Sequence, residues 1–443
     1  MFDVNSSTID ISGFLLAVSS MSGLSDPIVN NHNYRVAFIS FLIGKDISYS
    51  NEFLYNLIVA GLLHDIGLLL VHTEEDLAVV KDTRDEESKI VHIHSEIGYE
   101  LLKNFPFFSH IAKIIKYHHY PYNQIVKVKF PISSAIIYLA DRIDIFIQTN
   151  LNKNENKLSQ ISDLKPKLKE FLIKGKGTQF SPRAVDTAIE NLIEKESFWF
   201  EILSEAYLKE TLEEMLQNFE QKMPSEIFFN LAQIMAYLID FKSPFTATHS
   251  SGVAHIATSL ASLFNFTAPD LKKMKIAGLL HDIGKIAIPS DILEKPGKLS
   301  DREINIMKSH VFHTHKIISK LKLDPNIIHW AAFHHETLNG HGYPFNLRAK
   351  DLSLGARVMA VADIFTALME DRPYKRGMSE EKALSIIEEL ADRNRLDQRV
   401  VTVLKKNIKS INMQRKEAQK KATKTYQTIR EIPSKIKNQT FFS

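Results

Sequence analysis

Twice along this chain an apolar run delivers a histidine and an aspartate, side by side, into what should be protein interior. The two stretches are Ala60-Gly61-Leu62-Leu63-His64-Asp65-Ile66-Gly67 and Ala277-Gly278-Leu279-Leu280-His281-Asp282-Ile283-Gly284. A carboxylate is almost never fully buried without a partner, and burying one unpaired is costly. The usual relief is a cation, and an adjacent imidazole makes a metal the first one to consider. Gly284 closes its run as a helix terminator would, and Lys285 adds a positive charge just beyond. A His-Asp pair standing alone is more often a cap or a surface pair, so the surroundings decide.

The second pair has company. His249 lies 32 residues before His281, and His310, His334-His335 and Asp363 follow, each beside a helical-looking apolar segment. Five imidazoles and two carboxylates, with no sulfur, suit Zn, Fe, Mn or Ni better than Ca or Mg. Seven ligands are too many for one tetrahedral ion. They suit two six-coordinate ions that share Asp282 and keep sites open for water. The same order stands in the first part of the chain: His32, His64-Asp65, His94, His118-His119 and Asp141. The 32-residue spacing from His32 to His64 and the 24-residue spacing from His94 to His118 recur from His249 to His281 and from His310 to His334. The offset of 217 residues at the His-Asp pair exceeds any solenoid repeat and reads as a duplicated domain.

The order of these ligands resembles the HD phosphohydrolase superfamily. The segment His334-His335-Glu336-Thr337-Leu338-Asn339-Gly340-His341-Gly342-Tyr343-Pro344, followed by Asp371-Arg372-Pro373-Tyr374-Lys375, resembles the HD-GYP family within it, over roughly residues 226–405. The resemblance implies an all-α fold, a bi- or trinuclear site, often of iron or manganese, and hydrolysis of cyclic dinucleotides, chiefly cyclic di-GMP, in signal transduction. On that basis His249, His281, Asp282 and Asp363 go to one divalent ion, and His310, His334 and His335 to a second, with Asp282 shared. Lys285, one helical turn beyond Asp282, would hold a phosphate oxygen. Tyr343 would shape the cleft, and Arg372 and Lys375 would contact phosphate. Two such ions bridge a hydroxide and clamp the phosphate oxygens.

The family pattern is not followed everywhere. Thr337, Asn339 and Thr366 replace a usual Arg, Asp and Asp. Phe245 stands where trinuclear members carry a glutamate, which argues for two metals and for the linear dinucleotide pGpG as product, with GMP as the further step. The first copy departs further. It has six fewer residues between its last His and last Asp (22 against 28), with Tyr120-Pro121-Tyr122-Asn123 in place of the Gly-Tyr-Pro segment, and Leu68 in place of Lys285. We expect it to hold metal at His32, His64, Asp65, His94, His118, His119 and Asp141 yet to be a poor phosphodiesterase, with a structural or sensory role. Gly177-Thr178-Gln179-Phe180-Ser181-Pro182 resembles a C-terminal motif of the family; its counterpart Asn394-Arg395-Leu396-Asp397-Gln398 is worn.

The expected organisation is two tandem HD-type helical domains joined by a helix. The first spans 1–200, a connecting amphipathic helix 201–225, the HD-GYP domain 226–410, and a basic helix or tail 411–443. Strand-type alternation is nearly absent. The helix at Ile202–Gln221 joins the copies, packs within the chain, or forms a homodimer face. A net charge of +3 gives no global basic field for nucleic acid, and the absence of cysteine removes disulfides, thiolate metal sites and a Cys nucleophile. No apolar run approaches a membrane span and no signal peptide is apparent, so a cytoplasmic protein is expected. Two other readings stand beside the phosphodiesterase. One is a signalling receptor that binds nucleotide, or a partner such as a diguanylate cyclase domain, without turnover. The other is a nucleotide phosphohydrolase of the wider HD superfamily.

Overall fold

The structure is a computed structural model that describes residues 11–25, 31–48, 50–70, 91–152, 154–219, 225–241, 247–321, 323–371 and 376–437. Arg372, Lys375 and Phe245 therefore lie outside the described residues. Among the described residues there is no strand; two isolated bridges, Lys176 to Phe180 and Asn339 to Arg348, are the only extended pairings. The chain divides into two compact units, Asp10–Lys222 with Glu431–Ser443, and Met223–Arg430 with Met1–Ile9.

The first unit is built from α1 (Ile11–Ser25), α2 (His32–Ile47), α3 (Asn51–Leu63), α4 (Val91–Leu102), α5 (Ser109–Lys116), α6 (Tyr122–Val128), α7 (Ile132–Asn150), α8 (Ile161–Gly175) and α9 (Glu205–Asn218). α3 has almost no polar face: Leu54, Leu57, Ile58, Leu62 and Leu63 are all buried, as a central core helix requires. Ser50 caps its start by accepting from the Phe53 N–H. Asn51–Leu70 is in fact long and apolar enough to cross a membrane by length and composition, contrary to the expectation above. In this fold most of it is buried inside the domain, and it contains the His64-Asp65 pair. The amphipathic α9 turns Leu208, Leu212 and Leu216 inward and packs on α1 and α2, so it belongs to the first unit's core.

The second unit repeats the plan with α10 (Ser225–Asp240), α11 (His249–Ser262), α12 (Ala268–Leu280), α13 (Asp301–Ser319), α14 (Pro325–Ala332), α15 (Leu354–Met369), α16 (Glu380–Asp392) and α17 (Gln398–Arg430). The duplication shows in the packing itself. A Cβ on Gly61 would sit 2.5 Å from the Ala37 Cα, and a Cβ on Gly278 would sit 2.5 Å from the Ala254 Cα. In both copies the helix that opens on the first histidine thus crosses the helix that leads to the His-Asp pair at backbone contact. The residue pair at each crossing is the same, 217 positions apart.

The basic end of the chain, expected as a basic helix or tail, is helical and buries more than its composition suggests. α17 runs unbroken for 33 residues along α11 and buries Ile411, Asn412, Arg415, Ala422, Tyr426 and Ile429. Its lysines hid this stripe, because they occupy the other faces of the same helix. A last helix, α18 (Ile432–Lys437), rests on α4 of the first unit.

Candidate metal centre

In the second domain the apolar α12 ends at Leu280, and a 3-10 turn, Ile283–Ala287, follows the pair His281-Asp282. That turn lies against α13. Gly284 donates its N–H to Thr314 Oγ1 (2.9 Å), and Thr314 Oγ1 donates to the His281 carbonyl (2.9 Å). A Cβ on Gly284 would meet the His310 carbonyl oxygen at 1.9 Å. Gly284 is therefore required by this close approach and not by a left-handed helix end, which corrects the expectation drawn from the sequence. His310 comes from α13, His334 and His335 follow α14, Asp363 comes from α15 and His249 opens α11. Five elements converge on one buried centre.

The seven side chains form two sets around Asp282. His249, His281 and Asp363 bring ligand atoms within 4.8 Å of one another, and so do His310, His334 and His335. Asp282 turns one oxygen to each: Oδ2 lies 3.2 Å from His281 Nε2 and 3.7 Å from His249 Nε2, and Oδ1 lies 3.3 Å from His310 Nε2 and 3.9 Å from His334 Nε2. Nδ1 of His281, His310 and His334 each bonds a backbone carbonyl three residues earlier, at Gly278, Met307 and Ala331 (2.6–2.8 Å). This leaves Nε2 of all three buried, with no hydrogen-bond partner. A buried nitrogen lone pair without a donor is expensive, and an imidazole fixed through its other nitrogen is the usual posture of a metal ligand. The donor set fits divalent cations.

The electrostatics agree. Burial works to raise the pKa of Asp282, but His281 and Lys285 outweigh it and hold the carboxyl well below its usual range. Burial opposes protonation of His249, but Glu370 and Asp363 push its pKa up to about 10. Burial keeps His334 neutral, well below the ordinary histidine value, and takes His335 down to about 4 against the pull of Asp363. Neutral imidazoles and ionised carboxylates are the forms that bind metal; His334, His335 and Asp282 are already in them, whereas His249, held protonated between Glu370 and Asp363, gives up its proton when metal binds.

Around this core, Lys285 Nζ donates to Asp282 Oδ2 at 2.5 Å, one turn along as its spacing suggested. The Tyr343 ring lies 4.9 Å from the His335 ring, with Lys308 Nζ 5.4 Å from the Tyr343 ring centroid. Glu336, 2% exposed, accepts from the N–H groups of Phe345 and Leu347 (2.7 and 3.0 Å), folding the segment after Pro344 back onto the double histidine. The substituted Thr337 and Asn339 bond each other (Oγ1 to Oδ1, 2.8 Å), and Asn339 Oδ1 also accepts from the His341 N–H. Sequence reasoning gave no role to Lys308, Glu336 or Glu370. Glu336 had a visible signal, a carboxylate directly after two ligands.

The first domain assembles the same constellation. His94, His118 and His119 converge, as do His32, His64 and Asp141. Asp65 again spans the two sets, with Oδ1 3.4 Å from His94 Nε2 and Oδ2 3.4 Å from His64 Nε2. Nδ1 of His64 and His118 bond carbonyls three residues back. The charge lost at Leu68 is not simply missing. Arg142, buried, donates to Asp141 Oδ2 at 2.7 Å and brings a guanidinium into the cluster from α7. Leu68 takes away the lysine that would hold a phosphate oxygen, and Arg142 places a different cation, on the last aspartate of the set.

Residues 29–145 and 233–400 each match the HD domain family. Over 384 residues, 85% of this chain and 87% of the relative, the chain is 30% identical to the 3'3'-cGAMP-specific phosphodiesterase 1 of Vibrio cholerae. The chain belongs to the HD-GYP family. This member is also 37% identical, over 32% of its length and 34% of the relative, to a cyclic di-GMP phosphodiesterase of Pseudomonas aeruginosa. Among solved structures, a cyclic GMP-AMP-specific phosphodiesterase of V. cholerae has a similar fold, with a TM-score of 0.59 at 22% identity over 90% of this HD-GYP chain and 97% of that one.

Proposed function

We propose that the second domain is a metal-dependent phosphodiesterase that opens cyclic dinucleotides to the linear dinucleotide. The carrying observation is the pair of ligand sets sharing Asp282, with three buried Nε2 atoms aimed inward and an ammonium one turn away. His249, His281, Asp282 and Asp363 would hold one divalent ion, Asp282, His310, His334 and His335 the other, with iron or manganese suited to the nitrogen and oxygen donors. When bound, such ions supply Lewis acidity and an activated water. The protein's own contribution is placement. Lys285 is stationed to exchange its Asp282 contact for a phosphate oxygen, and Tyr343, fixed by the Glu336-anchored loop against His335, walls the cleft. Arg372 and Lys375, carried over from the family motif, would hold the second phosphate.

Cyclic di-GMP, opened to pGpG, is the substrate the Gly-Tyr-Pro motif implies. A second reading, 3'3'-cGAMP, is favoured by the name of the V. cholerae relative, which aligns over both domains. The first domain, in this proposal, holds metal without turnover, its Asp141 occupied by Arg142. The test is anaerobic incubation of the Mn(II)- or Fe(II)-loaded chain with each dinucleotide and chromatography of the products. Linear dinucleotide from either supports the proposal and ranks the substrates. A loaded enzyme that leaves both intact ends it in favour of a binding receptor.

A further inference from the structure

The two copies hold their first histidine in different ways, and the difference reaches the end of the chain. In the first copy His32 Nδ1 bonds Asp144 Oδ2 at 2.7 Å. Asp144 stands three residues after Asp141 and is held by Arg35, with Nε to Oδ1 at 2.5 Å and a second bond to Oδ2 at 3.1 Å. Gln148, one turn further, also donates to Asp144 Oδ1 (3.4 Å).

The histidine is kept in the second copy, but all three of these partners are altered. Thr366 stands in place of Asp144 and spends its hydroxyl on the Ala362 carbonyl. Gly252 stands in place of Arg35, at the same 217-residue offset as the ligands. Glu370 stands in place of Gln148, and His249 Nδ1 bonds Glu370 Oε2 at 2.8 Å. The carboxylate has moved four residues on, to the position that caps the end of α15, still on the side facing His249. The donor that steadies it now comes from α17: Gln419 Nε2 donates to Glu370 Oε1. Gln419 fills the space that Gly252 leaves, since a Cβ at 252 would lie 2.8 Å from Gln419 Nε2. Arg415 Nη1 donates to Gln419 Oε1 at 2.6 Å, which turns the amide so that its nitrogen faces Glu370. Arg415 is itself buried and donates to Asn412 Oδ1 at 2.9 Å.

We propose that Glu370, steadied by Gln419 from the C-terminal helix, is the positioning residue that fixes the tautomer and aim of His249 as a metal ligand, replacing the aspartate that serves His32. This rests on the metal-binding reading of the second domain. It makes the helix at Gln398–Arg430 a working part of the centre, and it explains why Thr366 is tolerated. A partner on the far nitrogen of a ligating imidazole raises its basicity and holds the ring, and losing one typically costs about 10–100-fold in metal affinity.

The test uses the full-length, metal-free chain and Mn(II) alone, with binding followed by anaerobic equilibrium dialysis and elemental analysis. Ions lost in Asp282→Ala define the second-domain centre. We expect Glu370→Gln to weaken one of those ions about 10–100-fold, in a metal-free variant that still unfolds in a single cooperative transition. Gln419→Ala, which keeps the carboxylate, should give a smaller loss of the same ion. The double variant T366D/E370Q, which returns the carboxylate to its first-copy position, should recover most of the affinity. Equal binding by wild type and E370Q, or a loss that T366D does not recover, overturns the inference while leaving the metal reading intact. A wild-type chain that takes up no Mn(II) overturns the metal reading and this inference with it.

Discussion

Lys285 and Asp282 show how one residue can be read two ways. The ammonium sits on the oxygen of Asp282 that faces His249 and His281, so in the metal-free centre it neutralises a buried carboxylate. In the proposed phosphodiesterase, bound metal would take over that neutralisation and the ammonium would turn to a phosphate. Lys285→Ala should therefore keep its metal content while kcat for dinucleotide opening falls by about 100-fold, the scale of losing one preorganised charge donor. Elemental analysis and steady-state kinetics check both halves. Full activity in the variant would show that the lysine serves only Asp282. Arg142 makes the complementary point in the first domain, where a guanidinium already lies on the last aspartate.

At the scale of an element, α17 carries more than its composition suggests. It begins at Asp397, whose carboxylate accepts from the Arg399 N–H (2.9 Å) as a cap and from Arg357 Nη1 of α15 (2.9 Å). The segment that looked worn beside Gly177–Pro182 does comparable work. Leu338 N–H donates to the Arg395 carbonyl, as Tyr122 and Asn123 donate to Gln179 and Thr178 in the first copy. Burial works to raise the pKa of Asp397, but Arg399 and Arg357 outweigh it and hold the carboxyl well below its usual range. A depressed folded-state pKa gives stability that is complete above the unfolded value of ~3.9 and fades as pH falls through it. Asp397→Asn should thus cost about 1–2 kcal/mol at pH 7, a difference constant down to about pH 5 and narrowing below pH ~4. Urea unfolding of both proteins across that range measures it. A gap that widens toward acid would refute the assignment.

For the molecule as a whole, duplication has produced two similar ligand clusters with different surroundings. One has Lys285 and the Gly-Tyr-Pro segment; the other has Arg142, Leu68 and the short helix Tyr122–Val128. We expect a division of labour. Asp282→Ala should abolish dinucleotide turnover and remove the second-domain ions. Asp65→Ala should lower the metal content of the full chain and leave turnover within about threefold, a difference of less than about 1 kcal/mol in barrier. Paired elemental analysis and kinetics decide it. Metal content unchanged by Asp65→Ala would mean that the first cluster is satisfied by Arg142 and its own hydrogen bonds.

The all-helical duplicated architecture and the convergence of both His and Asp clusters were legible in the sequence. A buried His-Asp pair needs a counter-charge wherever it occurs, and its recurrence at 217 residues leaves little room for chance. Local spacing also placed Lys285 correctly, because one helical turn is a local quantity. What only the tertiary structure decided were the contacts between segments far apart in the chain. Gly284 is glycine because the His310 carbonyl presses on it from α13. Thr366 departs from the family pattern, and the pattern could not show that Glu370 bonds His249 in its stead and is met by Gln419 from the basic C-terminal helix. Arg142 reaches the first cluster from α7, far from the Leu68 position where a charge was sought. Pattern and periodicity report which face of a segment is apolar. They do not report which distant polar group that face will meet, since that depends on helix crossings set by packing of the whole domain.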